Sequence, residues 1–239
     1  MIKDSYNFIE GEILLLKKPL TWTSFDLVKK VRTLIQRKYN LKKFKVGHAG
    51  TLDPLATGLM VICTGKKTKE IADLQNDHKV YEAQIKLGVS TASYDLETEI
   101  EQEKSTQNIT LETIKEAAKT FLGPQKQVPP IFSAKKISGE RAYKKARRGE
   151  QVEMKSNDIE IFEFEISSYE NNIIKCRIHC SKGTYIRSLA HDLGKKLNNL
   201  GTLVGLKRTR SGQFFIDQAL SIEKLEELIK ASANQPSIC

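Results

Sequence analysis

The sequence predicts an α+β fold built around a mixed, largely antiparallel sheet flanked by helices. Three observations predict it. Apolar or alternating runs of strand length recur along the chain, at 13–16, 59–63, 80–87, 158–168 and 172–180. Apolar spacing at three and four residues is confined to a few segments, chiefly 24–38, 111–121 and 187–197. The two kinds of segment do not alternate strictly, so a doubly wound parallel sheet is disfavoured. A length of 239 residues suits one large domain, or one domain with an insertion.

Taken in order, the run at 13–16 reads as a buried strand closed by Pro19. Thr23 then offers an N-cap, with Asp26 near the positive end of the helix dipole. Phe25, Val28, Val31, Leu34 and Ile35 supply the expected apolar face of that helix. A glycine-punctuated loop follows, then the buried strand at 59–63 and a helix over 69–76. In the strand at 80–87, Tyr81, Ala83, Ile85 and Leu87 share one face. The helix at 111–121 is stopped by Gly123-Pro124. Residues 124–152 hold three of the six prolines and many basic residues, so they read as an excursion from the core with a short helix near 141–148. Strands at 203–208 and 213–216 and a Ser221-capped helix to about Ala231 complete the chain.

Composition narrows the function. Lys and Arg number 39 against 29 Asp and Glu, a formal charge of +10, which favours a polyanionic partner. Cys63, Cys176, Cys180 and Cys239 form no C-x-x-C, so neither a disulfide framework nor a zinc ribbon is expected. Alternation puts Cys176 and Cys180 on one strand face and His179 on the other, the pattern of core cysteines rather than ligands. There is no dinucleotide fingerprint, and the spacing from Gly58 to Gly65-Lys66 fails the phosphate-loop motif, which needs four residues between its glycines where six lie here. The N-terminus reads as neither a signal peptide nor a membrane span, and a cytoplasmic protein is expected.

One stretch stands out: Gly47-His48-Ala49-Gly50-Thr51-Leu52-Asp53-Pro54-Leu55-Ala56-Thr57-Gly58. Its glycines permit backbone conformations that side chains forbid, and Pro54 pushes Asp53 toward extended geometry. The loop is therefore rigid and aims a single carboxylate. Spacing alone leaves two readings open, a turn with an Asx-type bond and an aimed functional carboxylate.

The stretch GHAGTLDPLATGLMVICTG closely resembles the catalytic motif of the TruB family of tRNA pseudouridine synthases. Further segments resemble that family in the same order: LLLKKPLTWTSFDLVKKVR, KVYEAQIKLG, PPIFSAKKISGERAYKKARRGE, CSKGTYIRSLAHDLG and GTLVGLKRTRSGQF. The resemblance spans about residues 8–230 and implies the pseudouridine synthase catalytic fold over 1–232, with 124–152 as a basic RNA-gripping thumb and 233–239 as a short tail. It also implies a short form, because many members continue into a C-terminal RNA-binding domain. By the same resemblance Asp53 is the essential catalytic residue and Arg187 its cationic partner. Tyr81 stacks on the target base and is a candidate proton acceptor, Tyr185 and Leu206 line the pocket, and His48 fills the space the flipped base leaves. Lys18 supports the active-site loops or contacts phosphate. The expected substrate is the T-loop uridine at tRNA position 55, presented by the T-arm stem-loop to a monomeric enzyme with no metal and no cofactor. Two other classes compete: a non-catalytic RNA-binding or tRNA-chaperone module on the same scaffold, and a nucleoside hydrolase that releases the base.

Overall fold

The computed structural model describes residues 6–133, 135–137, 139–150 and 153–232. The expected tail at 233–239 lies outside them. In chain order, the elements are β1 (Ile13–Lys18), α1 (Ser24–Lys38), β2 (Val46–His48), β3 (Ala56–Thr64), α2 (Ile71–Gln75), β4 (Lys79–Leu87), β5 (Val89–Thr91) and β6 (Ile100–Glu103). There follow α3 (Leu111–Lys119), β7 (Gly123–Gln127), β8 (Lys136–Ile137), β9 (Glu140–Arg141), α4 (Ala142–Arg147), β10 (Asn157–Glu170) and β11 (Ile173–Cys180). The chain closes with α5 (Ile186–Lys196), β12 (Gly201–Ser211), β13 (Phe214–Phe215) and α6 (Ile222–Ala231). A 3-10 turn at Gly65–Glu70 precedes α2, where the sequence suggested one helix. None of the described helices is long and apolar enough to cross a membrane.

The chain divides into two compact units. One is drawn from the chain up to Lys79 and from Lys207 onward, the other is Val80–Leu206. In the first, β3 pairs antiparallel with β1 and β2, and β12 with β13. A parallel bridge joins Leu16 to Leu220, with Lys17 N–H donating to the Leu220 carbonyl. Helix α1 opens on a capping box: the Thr23 hydroxyl accepts from Asp26 N–H and the Asp26 carboxylate accepts from Thr23 N–H. Its inward face is Ser24, Leu27, Val28, Val31 and Ile35. Phe25, expected inside, is 63% exposed, because the face that meets the core is set by Leu27 and its i+4 neighbours. Each fully buried Leu, Val or Ile of this stripe contributes roughly 1.5–3 kcal/mol.

In the second unit, β4, β11, β10 and β7 lie side by side in that order, the last two pairs antiparallel. Tyr81, Ala83, Ile85 and Leu87 are buried on one face of β4, as the alternation requires. On β11, Cys176 and Cys180 are buried with Ile178, and desolvation pushes the Cys176 thiol up to about 12. The basic excursion begins later than the sequence suggested. Gly123–Gln127 form an edge strand, with Gln127 opposite Asn157, so the chain leaves the sheet at Val128. Proline is tolerated there because an edge strand has one unpaired side.

Candidate active site

The loop that carries Asp53 is held on both sides of that residue by groups buried in its own unit. On the N-terminal side, the Ser24 hydroxyl donates to the Leu52 carbonyl at 2.9 Å and accepts from Leu52 N–H at 2.8 Å. One side chain thus satisfies both backbone groups of the residue before the carboxylate. On the C-terminal side, the Pro54 carbonyl accepts from Thr21 N–H at 2.9 Å and from the Lys18 ammonium at 3.4 Å. Ala56 N–H donates to the Asp53 carbonyl at 3.1 Å, closing a tight turn. Asp53 itself is half-buried.

Lys18 is 1% exposed, and its ammonium also donates to the carbonyls of Trp22 at 2.5 Å and Pro19 at 2.9 Å. Burial lowers its pKa to about 8, against the opposing pull of the Asp53 and Asp26 charges. The buried charge is therefore compensated by carbonyl dipoles and a carboxylate, as an interior ammonium requires.

Arg208, which the L-x-R segment carries beside Leu206, is the largest side chain buried to this degree among the described residues, at 1% exposed. Its Nε donates to the Leu59 carbonyl at 2.8 Å and its Nη2 to the Gly50 carbonyl at 3.1 Å. A Cβ on Gly58, whose φ is +109°, would lie 2.3 Å from the Arg208 carbonyl oxygen, so only glycine fits. The L-x-R spacing was the available signal, but a basic residue in a strand ordinarily reads as surface. His48 ends β2, and its Nδ1 is buried with no hydrogen-bond partner of good geometry among the described residues. Burial, followed by the Arg208 charge, lowers its pKa, which favours a neutral imidazole.

The second unit holds the other candidates. Tyr81 is buried on β4. Arg187 lies in the first turn of α5, 4% exposed. Its Nη1 donates to the Ser93 carbonyl at 3.1 Å, and its Nε stands 3.6 Å from the Asp95 carboxylate. Asp95 was not named from sequence. It sits in a loop fixed by its own short bonds: the hydroxyls of Thr91 and Ser93 donate to the Asp95 carbonyl, and Glu97 N–H donates to the Asp95 carboxylate. The guanidinium is thereby locked in orientation by a carboxylate and a carbonyl. Tyr185 is the N-cap residue of α5, with no side-chain capping bond. Leu206 is the last residue of this unit and is half-buried. Among the described residues no group of histidine, cysteine and carboxylate side chains is arranged to hold a metal.

The comparisons with known proteins agree in direction. Residues 36–186 match the model of the TruB family pseudouridylate synthase N-terminal domain. That span includes His48, Asp53, Tyr81 and Tyr185. The chain is 52% identical over 224 residues to the tRNA pseudouridine synthase B of Parabacteroides distasonis, covering 94% of this chain and 95% of that one. It is 52% identical over 221 residues to the protein of the same name from Phocaeicola vulgatus, covering 92% and 94%. Among solved structures, it resembles a chain of a Cbf5-Nop10-Gar1 complex at 26% identity with a TM-score of 0.68. That match covers 92% of this chain and spans only 54% of the solved one. With a family model that covers most of its length and relatives at half identity from end to end of the match, the chain belongs to the TruB family of pseudouridylate synthases.

Proposed function

We propose that the protein is a tRNA pseudouridine synthase that isomerises the T-loop uridine at position 55. The observation that carries the reading is the clamp around Asp53, with Ser24 holding the residue before it and Lys18 the residue after it. A loop that only turned the chain would not need two buried polar side chains committed to the neighbours of one carboxylate. The family relatives named tRNA pseudouridine synthase B support the substrate class.

In this reaction the bond from ribose C1′ to uracil N1 breaks, the base turns, and a bond from C1′ to C5 forms while C5 gives up its proton and N1 takes one up. Nothing is oxidised and no second substrate is consumed. Asp53 supplies the nucleophile or base, kept ionised by positive charge, with Arg187 in that role and Lys18 acting from beneath the loop. The target base must leave its stack to be reached. Tyr81 then offers a stacking face and an acceptor for the C5 proton, Tyr185 and Leu206 wall the pocket, and neutral His48 takes the place of the missing base. Lys18 acts as loop support rather than a phosphate contact, because its ammonium is engaged by backbone carbonyls.

The test uses a T-arm transcript labelled with tritium at uracil C5. Wild-type protein is expected to release tritium with no loss of base, and Asp53→Asn to reduce the rate at least about a thousandfold. Binding without tritium release supports the chaperone reading, and free uracil supports a hydrolase. Either outcome sinks the proposal.

A further inference from the structure

Gln127 ends the edge strand β7 and is 4% exposed. Its side-chain amide is bonded to one residue's backbone from both sides. Tyr185 N–H donates to Gln127 Oε1 at 2.8 Å, and Gln127 Nε2 donates to the Tyr185 carbonyl at 3.1 Å. The amide thus does for Tyr185 what a neighbouring strand would do, matching one donor and one acceptor. This matters because Tyr185 is the N-cap residue of α5 with no side-chain capping bond, and its carbonyl also accepts the first helical bond, from Leu189 N–H at 3.1 Å. The dihedral angles at Tyr185 set the direction of its own ring and of the first turn, which carries Arg187. Close by, the Ser188 hydroxyl donates to the Val128 carbonyl at 2.7 Å. The chain is therefore fastened to the start of α5 just where it leaves the sheet to enter its basic excursion.

We propose that Gln127 is a positioning residue of the synthase: it fixes the Tyr185 backbone, and through it the placement of Tyr185 and Arg187 for reaction on RNA. This rests on the functional reading above. A buried amide bonded at both ends is costly to replace by a group that satisfies only one of them. A displacement of catalytic groups by about an ångström can cost about a hundredfold in rate.

Two substitutions test it, with single-turnover tritium release from T-arm RNA as the rate and filter binding as the affinity. Gln127→Met keeps the length and removes both bonds. It is expected to slow the chemical step about a hundredfold while RNA affinity stays near the wild-type value. Gln127→Glu carries a distinguishing signature. Ionised, it accepts from Tyr185 N–H but faces the Tyr185 carbonyl with a second acceptor, whereas protonated it offers one acceptor and one donor as the amide does. Its deficit relative to wild type should therefore shrink as pH falls from about 8 to about 6, burial having raised its pKa. A wild-type rate in Gln127→Met, a loss confined to affinity, or a Gln127→Glu deficit that ignores pH overturns the positioning role while leaving the synthase reading intact. If Gln127→Met fails to fold, the pH dependence of Gln127→Glu decides alone. Wild-type protein that turns over no T-arm RNA overturns the functional reading, and the positioning role with it.

Discussion

Lys18 shows how a single buried charge ties loop geometry to pH. Its ammonium holds the carbonyls of Pro19, Trp22 and Pro54, and its pKa is lowered by burial to about 8 from an ordinary 10.5. Above about pH 8 the folded protein loses this proton while the unfolded chain keeps it up to about 10.5. The unfolded state then binds more protons, so this group makes stability rise with pH across that window. Catalysis should move the other way, since Asp53 loses a positive neighbour and the loop a charged donor. The expected result is an alkaline limb in kcat/KM near pH 8 that is absent from Lys18→Met, with a wild-type Tm that does not fall over the same limb. A coincident fall of Tm and rate would refute the assignment. The residue scale is also where the sequence was most uneven. The shaped loop around Asp53 was legible because glycine and proline advertise it. Arg208 and Asp95 were not, because a charged side chain carries no local sign that the fold has swallowed it. The carbonyls that hold Arg208, those of Leu59 and Gly50, and the Arg187 that faces Asp95 all lie far away in sequence.

The elements divide along the same line. Helix α1 was legible down to its cap, because Thr23 and Asp26 form a local signal and the apolar stripe is long. Strand β7 was not legible. Gly123, Pro124, Gln125, Lys126 and Gln127 offer no large apolar side chain, so nothing in them alternates, and their strand character comes entirely from pairing with β10. Helix α1 also gives a contrast that separates folding from function. Thr23→Ala removes the cap and should cost about 1 kcal/mol with little effect on turnover. Ser24→Ala, one residue on, leaves the buried N–H and carbonyl of Leu52 without their partner. It should cost about 1–3 kcal/mol and also slow tritium release, since the backbone before Asp53 is freed. Urea denaturation and single-turnover rates on both variants check this; equal rate losses would mean that α1 acts through stability alone.

At the scale of the whole molecule, the charge of +10 was the first sign of a nucleic-acid partner, but charge counted along a sequence does not say which cations are free to meet phosphate. The structure discriminates within the basic segment. Arg148 is held by two carboxylates, bonding Glu140 at 2.8 and 2.9 Å and Glu150 at 2.6 Å. Lys144, on α4, is exposed, and Lys145 is half-buried beside it. Exposed ion pairs contribute little to stability, but they compete with phosphate for the same guanidinium. Replacing Lys144, Lys145, Arg147 and Arg148 together by Ala should weaken T-arm binding and lower its salt dependence. The log–log slope should fall by about 0.7 for each phosphate of a single strand that is no longer neutralised. The individual substitutions should not be equal: Lys144→Ala should carry more of the effect than Arg148→Ala, whose cation is already paired with Glu140 and Glu150. Binding titrations across a salt series measure both quantities. Unchanged affinity in the fourfold variant would remove the basic segment from the RNA interface, and a dominant effect of Arg148→Ala would mean that RNA displaces both glutamates to reach it.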